Sequence, residues 1–248
     1  MFQYKKNRYW EIDSLRGLAI ISMVLYHLIF DLYYFYEINF LTQSNLLIIL
    51  GKLSAITFLI LVGVSLSLKR DNVNNNKLFF VSITKRSLFI LFWAYLITLI
   101  TYIFTPNETI FFGVLHLIGT SMLISIPLLL MNSNTVDLLF VIIIIISSKI
   151  ITNINTSHYL LIPIGVTPSP FSSFDYFPLL PWLSYIIVGI ILGNIYRPYR
   201  KKHTISIDIH KNKSLKLSAL GQRSLLIYLV HQPAILFVLY IIKNIHLL

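Results

Sequence analysis

Ser14-Leu-Arg-Gly-Leu-Ala-Ile-Ile-Ser-Met-Val-Leu-Tyr-His-Leu-Ile-Phe-Asp31 is a nearly unbroken apolar run that carries three ionisable side chains, Arg16, His27 and Asp31. An exposed amphipathic helix would have a broad polar face; this one is apolar almost all round, as a buried or membrane-spanning helix is. The pattern repeats along the chain. Apolar segments of near-spanning length lie at roughly 14–36, 46–68, 87–104, 111–131, 136–152, 177–196 and 222–242. About 20 residues cross a bilayer, fewer where it thins locally. The shortest, 136–152, compensates with the run Leu138-Leu-Phe-Val-Ile-Ile-Ile-Ile-Ile146. Only 12% of residues are charged and 56% are apolar, against about 25% charged in soluble domains. The expected fold is therefore all-α: a polytopic transmembrane helical bundle of about seven spans, taken as a single domain over 1–248.

Charge sets the expected orientation. Lys5, Lys6, Arg8 and Arg16 precede or open the first segment. Lys69, Arg70, Lys77, Lys85 and Arg86 lie between the second and third. Arg197, Arg200, Lys201, Lys202, Lys211, Lys213, Lys216 and Arg223 lie between the sixth and seventh. Together they make 17 of the 20 basic residues; only Lys52, Lys149 and Lys243 fall elsewhere. The loops 37–45, 105–110 and 153–176 have no Lys or Arg. By the positive-inside rule the N-terminus is cytoplasmic. The net charge of +11 thus reads as topology and contact with anionic headgroups, not as nucleic-acid binding. The first segment is expected to stay as a span, because no small-residue cleavage site follows it. Asp71–Lys77 reads as a polar cytoplasmic loop and 197–218 as a basic linker. The stretch 153–176, broken by Pro163, Pro168 and Pro170, reads as a loop, a re-entrant segment or a short interfacial helix. The abundance of Ile, Asn and Lys suits an AT-rich microbial genome and so a plasma membrane.

Without cysteine, thiolate metal sites, disulfides and Cys nucleophiles are excluded. Ionisable groups inside spans are the functional candidates. Asp13, Arg16, Ile20, Met23, His27 and Asp31 follow three- and four-residue steps and share one helix face. Asp13 and Arg16 neutralise each other. Asp31, four residues after His27, is placed to accept from its ring, which would make the other ring nitrogen the better base. Arg16 and His27 are separated by about 16 Å of helix rise. The bland alternative is a polar zipper between helices with no chemistry. His116 and His231 stand in the fourth and seventh segments, and Pro233 frees a backbone carbonyl near the latter. Asp175 reads as a cap or an acceptor-binding carboxylate, and Trp182 as an interface anchor. No pair of histidines has ligand spacing on one helix, so no metal is expected. No phosphate-binding Gly loop, nucleophile elbow or inverted repeat is present.

The run Arg8-Tyr-Trp-Glu-Ile-Asp-Ser-Leu-Arg-Gly-Leu-Ala-Ile, followed by His27 and Phe30-Asp-Leu, resembles the opening of the heparan-α-glucosaminide N-acetyltransferase-like proteins of the transmembrane acyltransferase superfamily. Four more stretches fit in order. They are Lys85-Arg86; Phe112-Gly-Val-Leu-His-Leu-Ile-Gly119; Phe177-Pro-Leu-Leu-Pro-Trp182 with Gly189 and Gly193; and Ser224-Leu-Leu-Ile-Tyr228 with His231-Gln-Pro233. The resemblance implies a cytoplasmic acyl-CoA donor, usually acetyl-CoA, and a sugar-like amine or hydroxyl acceptor on the other side. In the related O-acyltransferases an arginine and a histidine with ten residues between them are required, the spacing of Arg16 and His27. Lysosomal members have asparagine at the His27 position and a later essential histidine; here no histidine lies between His27 and His116. N- versus O-acylation stays open. The chain is shorter than many relatives and is expected to lack an extra soluble domain.

On this reading Arg16, Lys85 and Arg86 hold the donor diphosphate. His27, oriented by Asp31, takes the acceptor proton, with Arg16 counted among the catalytic residues. Asp13, His116, Asp175, Trp182 and His231 are candidates for the acceptor side, and His116 or His231 donates to the oxyanion. The bilayer, acyl-CoA and a glycan or other small acceptor are the partners, and a homo-oligomer is compatible with the sequence. Two other functions are distinguishable. A proton-coupled transporter or flippase would use the histidines as a relay and show two related halves. A non-catalytic subunit of a membrane complex would tolerate loss of His27.

Overall fold

The computed structural model describes residues 9–36, 45–73, 75–151, 158–202 and 215–245. Lys5, Lys6, Arg8, Lys211, Lys213, the loop 37–44 and the linker 203–214 lie outside the described residues, as do the side chains of Lys201 and Lys202. The described chain is all-helical: α1 Trp10–Tyr36, α2 Asn45–Asp71, α3 Asn76–Phe104, α4 Val114–Met131, α5 Asn134–Ile151, α6 Leu179–Lys202, α7 Leu215–Gln222 and α8 Ser224–Asn244, with short 3₁₀ turns at Pro106–Glu108 and Tyr159–Leu161. Seven of these, all but α7, are long and apolar enough to cross a membrane. All seven expected spans are present.

Two boundaries differ from the sequence reading for local reasons. α3 begins at Asn76, far ahead of the expected 87, because Asn75 caps it: its side-chain oxygen accepts from the Lys77 and Leu78 amides at 2.9 and 3.1 Å. Asparagine at that position satisfies N–H groups that the first turn leaves orphaned. The second difference is α7, eight residues of helix inside the stretch read as linker. Among the described residues of 153–176, Tyr159–Leu161 forms a 3₁₀ turn and the rest is irregular.

Internal contacts divide the chain into two compact units, Met1–Leu61 with Arg200–Leu248, and Val62–Tyr199. In the first unit, α1 presents the face its spacing defines. Asp13, Ile20 and Asp31 are buried, while Leu15, Leu18, Ile21 and Leu25 on the other side are exposed and apolar. α1 meets α7 backbone to backbone. A Cβ on Gly17 would collide with the Leu217 carbonyl, and one on Gly221 with the Asp13 carbonyl. Small residues permit such close approach between helices in a membrane. Two ion pairs flank this seam, Arg16–Asp13 at 2.8 Å and Arg200–Glu11 at 2.7 Å. Ser54 of α2 adds a hydrogen bond to the Ala19 carbonyl of α1, 2.8 Å.

The second unit packs α3 against α4, where Ser87 donates to the Gly119 carbonyl at 2.6 Å. Leu128, Val141, Ile144, Leu183 and Ile187 form a buried cluster drawn from α4, α5 and α6. At the other end of these helices, Arg197 meets Asp71 at 3.4 Å and donates to Asn194 at 3.0 Å. Ser67 also donates to Asn194, 2.6 Å, and Asn194 donates to Asn134, 2.8 Å.

Gly221→Val should drive a branched side chain into the Asp13 carbonyl, an overpacking cost of about 1–3 kcal/mol. The expected outcome is a clearly lower unfolding temperature in detergent. Leu220→Val, one residue away on the exposed side of α7, should leave it nearly unchanged.

Candidate active site

In the first unit the polar face of α1 meets α8. Asp31 is 1% exposed, and a buried carboxylate in a membrane span has to be matched by donors. The donor is Gln232, whose side-chain amide nitrogen reaches both Asp31 oxygens, at 3.0 and 2.9 Å. Asp31 was expected to bond His27 within α1. Instead its carboxylate is engaged across the helix pair, and no His27–Asp31 hydrogen bond is formed among the described residues. The His27 ring faces His231 of α8, with centroids 4.9 Å apart and planes tilted by 58°, and has Tyr26 edge-on at 5.2 Å.

His231 Nδ1 lies 2.6 Å from the Tyr228 carbonyl. That bond is to the carbonyl three residues back, not to the one at Leu229 that Pro233 leaves without its helical partner. His231 Nε2 and Gln232 Oε1 are both buried without a hydrogen-bond partner among the described residues. Two imidazoles, a carboxylate and a carboxamide thus gather at the α1–α8 contact. Arg16 lies on the same helix about 16 Å away by rise, paired with Asp13.

The second unit gathers the other candidates around the start of α4. Asp175 Oδ2 accepts from the Val114 amide at 3.0 Å, a carboxylate at a helix N-terminus where the dipole favours it. His116 is 2% exposed. Its Nδ1 accepts from the Gly113 amide at 3.2 Å. That leaves Nε2 to carry the proton of the neutral ring, 3.3 Å from the Thr98 hydroxyl, which itself donates to the Ile110 carbonyl at 2.6 Å. Tyr95 and Phe112 enclose the ring. Both His116 nitrogens are therefore committed to the protein's own structure, and Asp175 acts as a cap. Trp182 packs on Phe177, centroids 4.6 Å apart, and on Tyr185. Burial pushes the Tyr176 phenol up to about 12, so it remains a donor, to the Ile162 carbonyl at 2.9 Å. Lys85 and Arg86 are exposed on α3.

Two groups escaped the sequence reading. Gln232 was legible only as the residue between His231 and Pro233. Asp137, 1% exposed in the first turn of α5, has both oxygens buried without a partner among the described residues; it stands at the edge of an apolar run, where a charge is ordinary and gives no signal. Among the described residues no group of three His, Asp or Glu side chains could hold a metal ion.

Seven apolar helices define a multi-pass membrane protein, and a histidine pair faces across its α1–α8 contact. Residues 8–233 match the family model for heparan-alpha-glucosaminide N-acetyltransferase, catalytic. The chain belongs to that family, which makes it a membrane protein of acetyltransferase type. No curated protein and no solved structure matched it significantly.

Gln232→Leu should leave the Asp31 carboxylate buried without a donor, a loss of about 1–3 kcal/mol or more. Asp31→Asn in the same background should recover part of it, because a neutral amide is cheaper to bury. Thermal unfolding of the two single variants and the double variant measures this coupling. His116→Phe should likewise lower the unfolding temperature, by removing the acceptor for Gly113 and the partner of Thr98.

Proposed function

We propose that the protein transfers an acyl group, acetyl in the first instance, from cytoplasmic acyl-CoA to an amine or hydroxyl of a sugar-like acceptor on the outer side of the plasma membrane. The family match over residues 8–233 carries this reading. The α1–α8 centre supports it, because it sets His27 against a second imidazole on the face that also bears Arg16. We take 1–248 as one functional domain with its N-terminus in the cytoplasm, as the distribution of basic residues favours.

The donor's diphosphate is bound at the cytoplasmic ends of the helices by guanidinium and ammonium groups, for which Arg16, Lys85 and Arg86 are the candidates. Arginine suits this role through its fixed fork of donors. Its pairing with Asp13 holds the Arg16 side chain in one geometry before the donor arrives. The thioester then reaches the level of His27. There the acceptor's oxygen or nitrogen attacks the thioester carbon, the C–S bond breaks, and the thiolate leaves. Asp13 acts through Arg16, and Asp31 through Gln232, so both are positioning residues. His116 and Asp175 serve by fixing the start of α4. Trp182, with its aromatic neighbours, remains the acceptor-side candidate of the second unit.

Acetyl-CoA added to the purified protein should raise its unfolding temperature, and Arg16→Ala should abolish most of that rise. His27→Ala should lower acetyl transfer by about 10²–10⁴-fold while the protein stays folded and monodisperse. Undiminished transfer by the His27 variant, or no effect of acetyl-CoA on the wild type, counts against the proposal.

A further inference from the structure

We propose that His231, not His27, is the general base of the transfer; the assignment rests on the acyl-transfer reading above. A carbonyl oxygen only accepts, so the 2.6 Å contact between His231 Nδ1 and the Tyr228 carbonyl places a proton on Nδ1. In the neutral ring Nε2 is then a bare lone pair. It is buried and has no hydrogen-bond partner among the described residues, and the ring it belongs to faces His27. A lone pair in that condition is a waiting proton acceptor, and nothing among the described residues occupies it.

A histidine base needs a second group that fixes its tautomer and aim. From sequence, Asp31 was expected to do this for His27. The structure gives Asp31 to Gln232 and provides an orienting acceptor for His231, one helical turn back on its own helix. His27 has no hydrogen bond to its ring among the described residues, so neither tautomer is imposed on it. It is free to present an N–H to the carbonyl oxygen on which negative charge develops. The two imidazoles thereby divide the work. His231 Nε2 takes the proton of the acceptor O–H or N–H as the new O–C or N–C bond forms. As the C–S bond breaks, the electron pair leaves on the thiolate sulfur, which ends with the proton that His231 accepted. Acyl thioester and acceptor become acylated acceptor and free thiol, with no other reactant.

The discriminating variant is His231→Asn. Asparagine's amide nitrogen occupies the position of Nδ1 and keeps a donor for Tyr228, while the Nε2 lone pair is deleted. The assay follows release of free thiol from acetyl-CoA by the purified full chain in detergent, with two acceptors. Glucosamine is an ordinary amine that sheds a proton as its nitrogen bonds to the thioester carbon, and its slow attack depends on a base to take that proton. Hydroxylamine sheds a proton too, but its α-effect makes it reactive enough to depend far less on that help, and its spontaneous reaction is subtracted. The expected result is that His231→Asn lowers turnover with glucosamine by about 10²–10⁴-fold yet keeps turnover with hydroxylamine within about tenfold of wild type. Under the same division His27→Asn should lower both. His231→Gln, which puts a non-basic amide where Nε2 stood, should repeat the pattern. Equal losses with both acceptors, or wild-type turnover with glucosamine, overturn the assignment while leaving acyl transfer standing. A wild type that turns over neither acceptor and gains no stability from acetyl-CoA overturns the acyl-transfer reading and the assignment with it.

Discussion

A carboxylate closed off inside a membrane-spanning helix is costly unless it finds donors within the protein, because hydrocarbon supplies none. For Asp31 the donor is the Gln232 amide, and this one clasp organises the interior of the first unit. It pins α1 to α8 at a defined level. It brings His231, the neighbour of Gln232 in sequence, to the level of His27, one turn before Asp31. The same clasp consumes the group that would otherwise have oriented His27. The chemistry available at the centre therefore follows from a requirement of burial.

Much of this architecture was legible in the chain. The seven spans followed from apolar run length, and the three- and four-residue spacing put Asp13, Arg16, Ile20, Met23, His27 and Asp31 on one face of α1, of which Asp13, Ile20 and Asp31 are buried and the other three half-buried. The Asp13–Arg16 pair also formed as the spacing required, because three residues on a helix bring two side chains together wherever the helix goes. The His27–Asp31 pair had the same local warrant but did not form. A carboxylate at that position has a choice between its own helix and a neighbour, and periodicity within one helix says nothing of what a second helix brings. Gln232, an uncharged residue, gave no signal of its own for the same reason.

His116 and Asp175 show a different gap between residue type and role. Both are rare polar groups in apolar surroundings, and each was a sound candidate for binding an acceptor. Their polar atoms instead serve the first turn of α4, whose N-cap is Gly113, a residue with no side chain to cap the helix. Orphaned amides at a buried helix start are as demanding as a substrate. Asp175, from a loop more than sixty residues away, and His116, from within the turn, answer that demand. The pairing of a distant loop with a helix end is decided by tertiary folding, and no spacing rule reaches it.

The seam between α1 and α7 has a consequence for movement. With Gly221 against the Asp13 carbonyl and Gly17 against that of Leu217, the two backbones fit at one register. Sliding α7 by a single residue would carry Leu220 or Gln222 into a gap that admits only hydrogen. The joint therefore has no neighbouring notch to slip into. Any displacement of α7 along this seam must either lift it off entirely or drag the head of α1, and with it the Arg16 guanidinium, as one piece.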